Sequence, residues 1–445
     1  MTKGYLPYRD FFDMKGPAFF VIEFLGQFIT YGRLGIFIVQ WLNLFLLLVI
    51  LCRIFELFQI KNRFIQVGLM LPIAFIAGFT FEGGNLTEEF SLVPIFICLY
   101  LFFAFIENYK KAGQFWQKHI YWLSGICFGF FFGLLLMIRL TNAALIGAMI
   151  LTVLLLLIIS RKTKQILICI GMFFLGLSLV VGPILLFFGI KGLLREMFEA
   201  VFVLGVKYTT EKSFIKHVTE VVWGNKSQRV LLLVIPWLIP VIIRWRSWIE
   251  KTFVIFGAVF TFVAVASGNN YTHYYTLTIP LVLISEISIV DSFRSTKIWR
   301  VVLAVIMIIS MLVPQYSFFE GSLRTAREYL FHQENYNIAW SVQDVANRIP
   351  HEDSQSVFCY NLNPSWYTYT DLFPCIKYCG WQNHYIALIP QIYDDLKSIF
   401  QSNPPLWLIL PKNIGELPDF LEKMIDIDYL QVYSNSEYIL FHYSK

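Results

Sequence analysis

Ten apolar runs follow one another through the first 314 residues, each near the length at which a helix crosses a hydrocarbon core of about 30 Å. They lie near 34–53, 63–79, 90–107, 120–138, 143–160, 165–190, 230–245, 252–267, 276–290 and 299–314. Backbone polar groups inside a bilayer must be satisfied within each segment, so runs of this kind can only be helices. Only 15% of the 445 residues are charged and 57% are hydrophobic, whereas an average soluble domain is roughly a quarter charged. That balance excludes a soluble enzyme, a disordered chain and a nucleic-acid binder. The expected fold class is an α-helical polytopic membrane protein carrying a small C-terminal α/β domain.

Orientation follows from the short loops, because Lys and Arg are retained on the cytoplasmic side. Alternate loops carry Arg53/Lys61/Arg63, Lys110/Lys111/Lys118, Arg161/Lys162/Lys164, Arg244/Arg246/Lys251 and Arg294/Lys297/Arg300, while the intervening loops 80–89, 139–142 and 268–275 offer only Arg139. Residues 1–33, loop 191–229 and the tail 315–445 are then expected outside the cytoplasm, with the chain in the plasma membrane. The division into a membrane-embedded part, 1–314, and a soluble part, 315–445, is also electrostatic. The first holds 27 Lys/Arg against 15 Asp/Glu and the second 8 against 15.

An outer-facing Met1–Gly16 contains neither a signal peptide nor a span to carry it across. We therefore expect one further helix upstream, making eleven spans with the ten in this sequence. Pro17–Thr30 is apolar but too short to cross, and suits a helix lying in the interface. In loop 191–229, Leu193, Leu194, Met197, Ala200 and Val201 are spaced for one helical face. The tail reads as helix 338–348, strand 356–360, helix 386–401, strand 406–410, helix 415–424, and a hairpin of strands 429–433 and 438–442 about the Ser434-Asn435-Ser436 turn. Cys359, Cys375 and Cys379 fall in this outer part, where one disulfide is permitted.

Polar residues gather in the outer loops. Asp10 and Asp13 stand in YRDFFD beside Arg9 and Lys15, and FEGGNLTEEF holds Glu82, Asn85, Glu88 and Glu89 with no basic residue. Carboxylates at an apolar boundary need a metal, a base or a hydroxyl to offset desolvation; for Glu88 and Glu89, capping of the helix that follows is an equal alternative. Arg139, with Thr141 and Asn142, is suited to bind a phosphate by a forked pair of hydrogen bonds, or to anchor a helix end by snorkelling. GNNYTHYY places His273, Tyr274 and Tyr275 at the outer surface. His273 is a candidate proton carrier or, with Glu88, a candidate ligand for a divalent metal ion, and the aromatic rings of 271–275 are candidates to stack on a sugar.

GYLPYRDFFDMKGP, GGNLTEEFSLVP, IRLTN and THYYTLTIP, in this order and on the expected side, resemble the landmarks of the polyprenyl-phosphate-sugar-dependent membrane glycosyltransferases of the GT-C superfamily. Protein O-mannosyltransferases and lipid A aminoarabinose transferases belong to it. The resemblance covers residues 1 to about 314. It implies inverting transfer of a sugar from a polyprenyl-phosphate donor to a glycan, lipid or protein acceptor outside the membrane. It further implies an acidic general base in the first external loop. That base commonly precedes the G-x-x-PYRDF stretch, so it would lie before Met1; within this chain Asp10, Asp13 and Glu88 match acidic positions of the motifs. On this reading Asp10, Asp13 and Glu88 are the catalytic candidates. Arg9, Lys15, Asn85, Glu89, Arg139, Asn142, Tyr274 and Tyr275 are the candidates to bind substrate. A chain that truly starts at Met1 must use Asp10 or be inactive.

Two other classes share the hydropathy. A flippase or transporter of lipid-linked saccharides would place ionisable groups at mid-membrane and show internal repeats; here the centres of the spans are nearly free of charge. A polysaccharide polymerase or ligase would rest on arginines in long external loops, which Lys191, Arg195, Lys207, Lys212, Lys216, Lys226 and Arg229 keep open.

Overall fold

The computed structural model describes residues 4–30, 33–110, 117–210, 218–219, 247–267, 271–292 and 338–444. The chain divides into two compact units, Lys15–Phe318 and Met1–Met14 with Phe319–Lys445. The runs expected at 230–245 and 299–314, and the boundary at 314/315, lie outside the described residues.

The first unit is helical. Its elements are α1 (Pro17–Ile29), α2 (Arg33–Leu57), α3 (Arg63–Thr80), α4 (Thr87–Lys110), α5 (Gln117–Leu136), α6 (Ala144–Ile159), α7 (Thr163–Ile190), α8 (Leu194–Phe198), α9 (Leu204–Thr210), α10 (Trp248–Ala266) and α11 (Ile279–Ser292). Short 3₁₀ turns, Leu140–Ala143 and Thr272–Thr278, lead into α6 and α11. Among the described residues seven helices are long and apolar enough to cross a membrane: Leu34–Leu57, Thr87–Lys110, His119–Leu136, Leu140–Ile159, Thr163–Ile190, Trp248–Ala266 and Thr272–Asp291. Each corresponds to an expected run. The run at 63–79 is present as α3, whose apolar stretch Arg63–Gly78 is shorter than these.

Burial separates central from peripheral helices. α4 is buried along most of its length by Phe96, Cys98, Leu99, Phe102 and Phe105, whereas α2 and α7 leave Phe37, Trp41, Phe45, Leu167, Phe174 and Leu186 exposed. Apolar surface on that scale needs an apolar surrounding, which agrees with a multi-pass membrane protein. Packing against α7 uses the small side of α5. Gly125, Gly129 and Gly133 recur every four residues, and a Cβ on Gly129 would stand 1.9 Å from the carbonyl oxygen of Phe173. On the facing helix a Cβ on Gly176 would stand 2.0 Å from that of Ile126. Backbones meet here directly, as small-residue helix pairs in membranes do.

α1 forms as expected for Pro17–Thr30, with Pro17 in its first turn, where a missing N–H costs nothing,. The face expected over 193–201 is partly corrected. Leu193, Met197, Ala200 and Leu204 are buried, but Leu194 is exposed and Val201 only half-buried. The buried stripe keeps the four-three-four spacing of one helical face, centred between Leu194 and Val201 rather than on them,.

The second unit contains a four-stranded sheet of order β1-β2-β4-β3, from Val357–Cys359, Trp407–Pro411, Tyr438–Tyr443 and Tyr429–Ser434 respectively. β1 runs parallel to β2, with Phe358 opposite Leu408, while β2–β4 and the β3–β4 hairpin are antiparallel. Alternation assigns the faces. Val357, Cys359, Trp407, Ile409 and Leu440 pack with Val342 and Val345 of α12 (Ile338–Ala346). Phe358, Tyr360, Leu408 and Leu410 pack with Leu396 and Phe400 of α15 (Gln391–Ser402) and with Leu421 of α16 (Asp419–Asp428). The expected single helix 386–401 is two helices, α14 (Gln382–Leu388) and α15, because Pro390 supplies no N–H and drives Ile389 out of the helical region,. The helix expected from 415 begins at Asp419, directly after Pro418. A further short helix, α13 (Ser365–Thr370), went unread in the sequence.

The N-terminal residues of this unit are tied to its sheet layer. The Phe12 N–H donates to the Lys377 carbonyl at 2.8 Å, and the Phe12 ring meets Tyr378 and Tyr385 edge-on at 5.5 and 5.2 Å. Cys359 is buried and Cys375 exposed, and both are free thiols; neither forms the permitted disulfide.

Candidate functional site

One cluster of polar residues in the first unit lies where α3 ends, α4 begins, α5 ends and α11 is entered. The loop between α3 and α4 turns through four successive left-handed residues, Glu82, Gly83, Gly84 and Asn85, with φ of 46°, 98°, 88° and 60°. Glycine takes this region freely and Asn tolerates it, so the strain, of order 1 kcal/mol, sits at Glu82. At Gly84 the φ of 88° is what calls for glycine; the nearest atom to a Cβ there, the Gln40 amide nitrogen at 2.2 Å, is the movable end of a side chain,.

This turn points Glu88 and Glu89 in different directions. Both are almost fully buried. Glu89 accepts hydrogen bonds from the Gln40 side chain at 3.0 Å and from the Asn85 N–H at 2.8 Å. It closes the helix N-terminus on itself, the arrangement of a capping residue. Glu88 instead accepts from Arg139 Nη1 at 2.7 Å and from the Thr87 hydroxyl at 2.8 Å. The equal alternatives for the two acids are thus divided between them: Glu89 caps, and Glu88 pairs with Arg139.

Arg139 is extended at φ −165° at the entry to the Leu140–Ala143 turn. Its Nη2 donates to the Tyr274 hydroxyl at 2.7 Å, and its guanidinium lies 4.3 Å from the centre of that ring. With 30% of its side chain exposed against 2% for Glu88, Arg139 ties two buried groups, Glu88 and Tyr274, together. Asn142 donates to Ser91 Oγ at 2.8 Å and is fully buried, so it joins α4 to the turn rather than lining an opening. Tyr275 is likewise buried, packed with Val265 and Tyr274. The exposed aromatic face of this segment belongs to Tyr271, which stacks on His273 at 5.4 Å and 11°.

His273 Nδ1 is 2.8 Å from Glu82 Oε2. Burial opposes ionisation of Glu82, but hydrogen bonds from His273 and Thr272 outweigh it and hold the carboxyl below its ordinary range. A divalent ion shared by Glu88 and His273 would have to displace Arg139 from one and Glu82 from the other. Among the described residues no three His, Cys, Asp or Glu side chains are gathered as a metal set. Lys15 lies 5.4 Å over the Phe19 ring, which meets Phe90 of α4. The Gly16 N–H donates to the Ile138 carbonyl and the Ala18 N–H to that of Met137, so the start of α1 caps the end of α5. A Cβ on Gly16 would be 2.0 Å from the Met137 oxygen.

Asp10 and Asp13 belong to the second unit. Arg9 donates to both oxygens of Asp10 at 2.9 and 2.8 Å, and the Leu6 N–H adds a third bond at 2.6 Å. Chiefly the Arg9 hydrogen bond holds this carboxyl below the ordinary carboxylate range, against partial burial. A carboxylate so occupied organises the Leu6–Phe11 turn and is a weak proton acceptor.

Three site-region residues escaped the sequence reading. Glu23 of α1 accepts from the Asn85 side chain at 2.7 Å, Gln40 holds Glu89, and Asn43 donates to the Glu89 carbonyl. Gln40 and Asn43 carried a signal, as two amides three residues apart inside an otherwise apolar run. No protein-family model, curated protein or solved structure matches the chain.

Proposed function

We propose that this chain is an integral membrane glycosyltransferase that moves a sugar from a polyprenyl-phosphate donor to an acceptor on the outer face of the plasma membrane. One observation carries the reading: the second, third and fourth motifs of the GT-C resemblance meet at Arg139, and Gly16 near the end of the first bonds the residue before it. Gly16 of the first bonds Ile138 of the third, Glu88 of the second pairs with Arg139 of the third, and Arg139 bonds Tyr274 of the fourth. Motifs separated by up to 135 residues have no reason to converge on one cation if they only cap helices.

In this reading Arg139 takes up the negative charge that develops on the departing lipid phosphate. Glu88 and Tyr274 hold its fork in one orientation, and Glu89, Gln40 and Asn85 keep the α3–α4 loop in place. Membrane lipids surround the spans, and the acceptor is a glycan, lipid or protein.

The test is a donor comparison on the purified protein in nanodiscs. Polyprenyl-phosphate mannose, glucose and arabinose are offered in turn, and released polyprenyl phosphate is measured, which counts every acceptor including water. Consumption of at least one donor is expected. Consumption only of a diphosphate-linked glycan would instead make the protein a ligase, and movement across the bilayer without bond breakage a flippase. The outer placement of the tail has its own check. Ile427 is 73% exposed, so Ile427→Cys in a Cys375→Ser background should react with a membrane-impermeant maleimide added outside intact cells. Labelling only after lysis would put the tail in the cytoplasm.

A further inference from the structure

Glu82 and His273 are 191 residues apart in sequence and 2.8 Å apart in space. The pair sits beside the Arg139 cluster. Tyr271 covers one face of the imidazole, the Tyr274 ring meets its edge at 4.6 Å, and the Arg139 guanidinium rests 4.3 Å from the centre of that same Tyr274 ring. The imidazole and the cation therefore both contact the same aromatic ring. Glu82 is aimed by the left-handed turn at Glu82–Asn85, the most conformationally demanding stretch of the site. An ionised carboxylate only accepts hydrogen bonds, so Nδ1 carries a proton, and in the neutral imidazole the lone pair is then on Nε2. A base oriented by a carboxylate through its other nitrogen is the arrangement that activates a hydroxyl.

We propose that His273, through Nε2, removes the proton of the acceptor hydroxyl, with Glu82 as the positioning residue that fixes its tautomer; this rests on the transferase reading above. The acceptor oxygen forms its bond to the anomeric carbon as its proton passes to His273. The bond from that carbon to the phosphate oxygen breaks, and its electron pair leaves with polyprenyl phosphate beside Arg139. Displacement with inversion sets the entering and departing oxygens on opposite faces of the anomeric carbon, so His273 serves the one and Arg139 the other. The proton on His273 is afterwards lost to water or to the released phosphate.

The experiment uses the full chain in nanodiscs with whichever of the three polyprenyl-phosphate sugars the wild type consumes. General-base removal costs about 10²–10⁴-fold, so His273→Ala should lower kcat by at least about 10²-fold with donor KM unchanged. Added imidazole should restore rate in a concentration-dependent way. Glu82→Gln should lower kcat alone, and the double variant should be no slower than His273→Ala, because the two act as a unit. If the wild type consumes a donor and His273→Ala keeps its rate, or loses it without relief by imidazole, the assignment of the base is overturned and the transferase reading stands. If the wild type consumes none of the donors, both fall together.

Discussion

Replacing Arg139 with Ala is expected to abolish sugar transfer and to destabilise the protein, and the two effects can be separated. The destabilisation comes from Glu88, whose side chain is 2% exposed and pairs with Arg139 at 2.7 Å. Removing one member of a buried pair leaves an uncompensated charge, at a cost of about 3–5 kcal/mol. On the proposed transferase reading the loss of transfer comes from the missing fork at the departing phosphate, where single donors are worth about 10²–10³-fold in kcat. Combining Arg139→Ala with Glu88→Gln removes the stranded charge. Thermal stability should then recover while transfer stays lost. Arg139→Lys keeps the charge without the fork, and should retain far more activity than Arg139→Ala. Equal rates for the Lys and Ala variants, or recovery of transfer in the double variant, would reduce Arg139 to a structural tie between α4 and the Leu140–Ala143 turn.

The elements of this site differ in how far the sequence disclosed them, and the reason is physical. Length and apolarity specify a span without reference to any neighbour, so the seven described spans were legible as runs. The β3–β4 hairpin was legible for a similar reason, since its turn residues and strands are contiguous. Helix 386–401 was misjudged although Pro390 stood in plain view, because the amphipathic repeat on either side of it is continuous. Partner choice is another matter. Glu88 and Glu89 are adjacent and chemically alike, and only the turn preceding α4 decides that one meets Arg139 and the other Gln40. Tyr274 and Tyr275 are equally adjacent, yet the 3₁₀ turn sends one hydroxyl to Arg139 and buries the other ring against the core. Asp10 looked available in the sequence and is occupied in the structure by its own neighbours, Arg9 and Leu6. The pairing of Glu82 with His273 had no local signal, because its specificity lies in a loop conformation that two glycines permit.

The largest purely structural effect is expected at Gly129. Its position leaves no room for a side chain, since a Cβ would come within 1.9 Å of the Phe173 carbonyl, and neither backbone can yield without separating α5 from α7. Helices in a bilayer gain little from hydrophobic exclusion, so the close contact is itself the stabilising term. Gly129→Leu should force the pair apart, and overpacking of this kind costs about 1–3 kcal/mol or more. Gly182 on α7 has nothing within 4 Å of its would-be Cβ, so Gly182→Ala should be neutral or slightly stabilising by helix propensity. The comparison is made by thermal unfolding of both variants in the same detergent, and equal midpoints would mean that α5 and α7 do not meet through this face. The consequence reaches the site along α5. The far end of that helix supplies the Met137 and Ile138 carbonyls that hold α1, and the next residue is Arg139. Gly129→Leu protein that still folds should therefore lose the proposed transfer activity as well, whereas Gly182→Ala should keep it, which would connect a packing contact inside the bundle to the orientation of one guanidinium at its end.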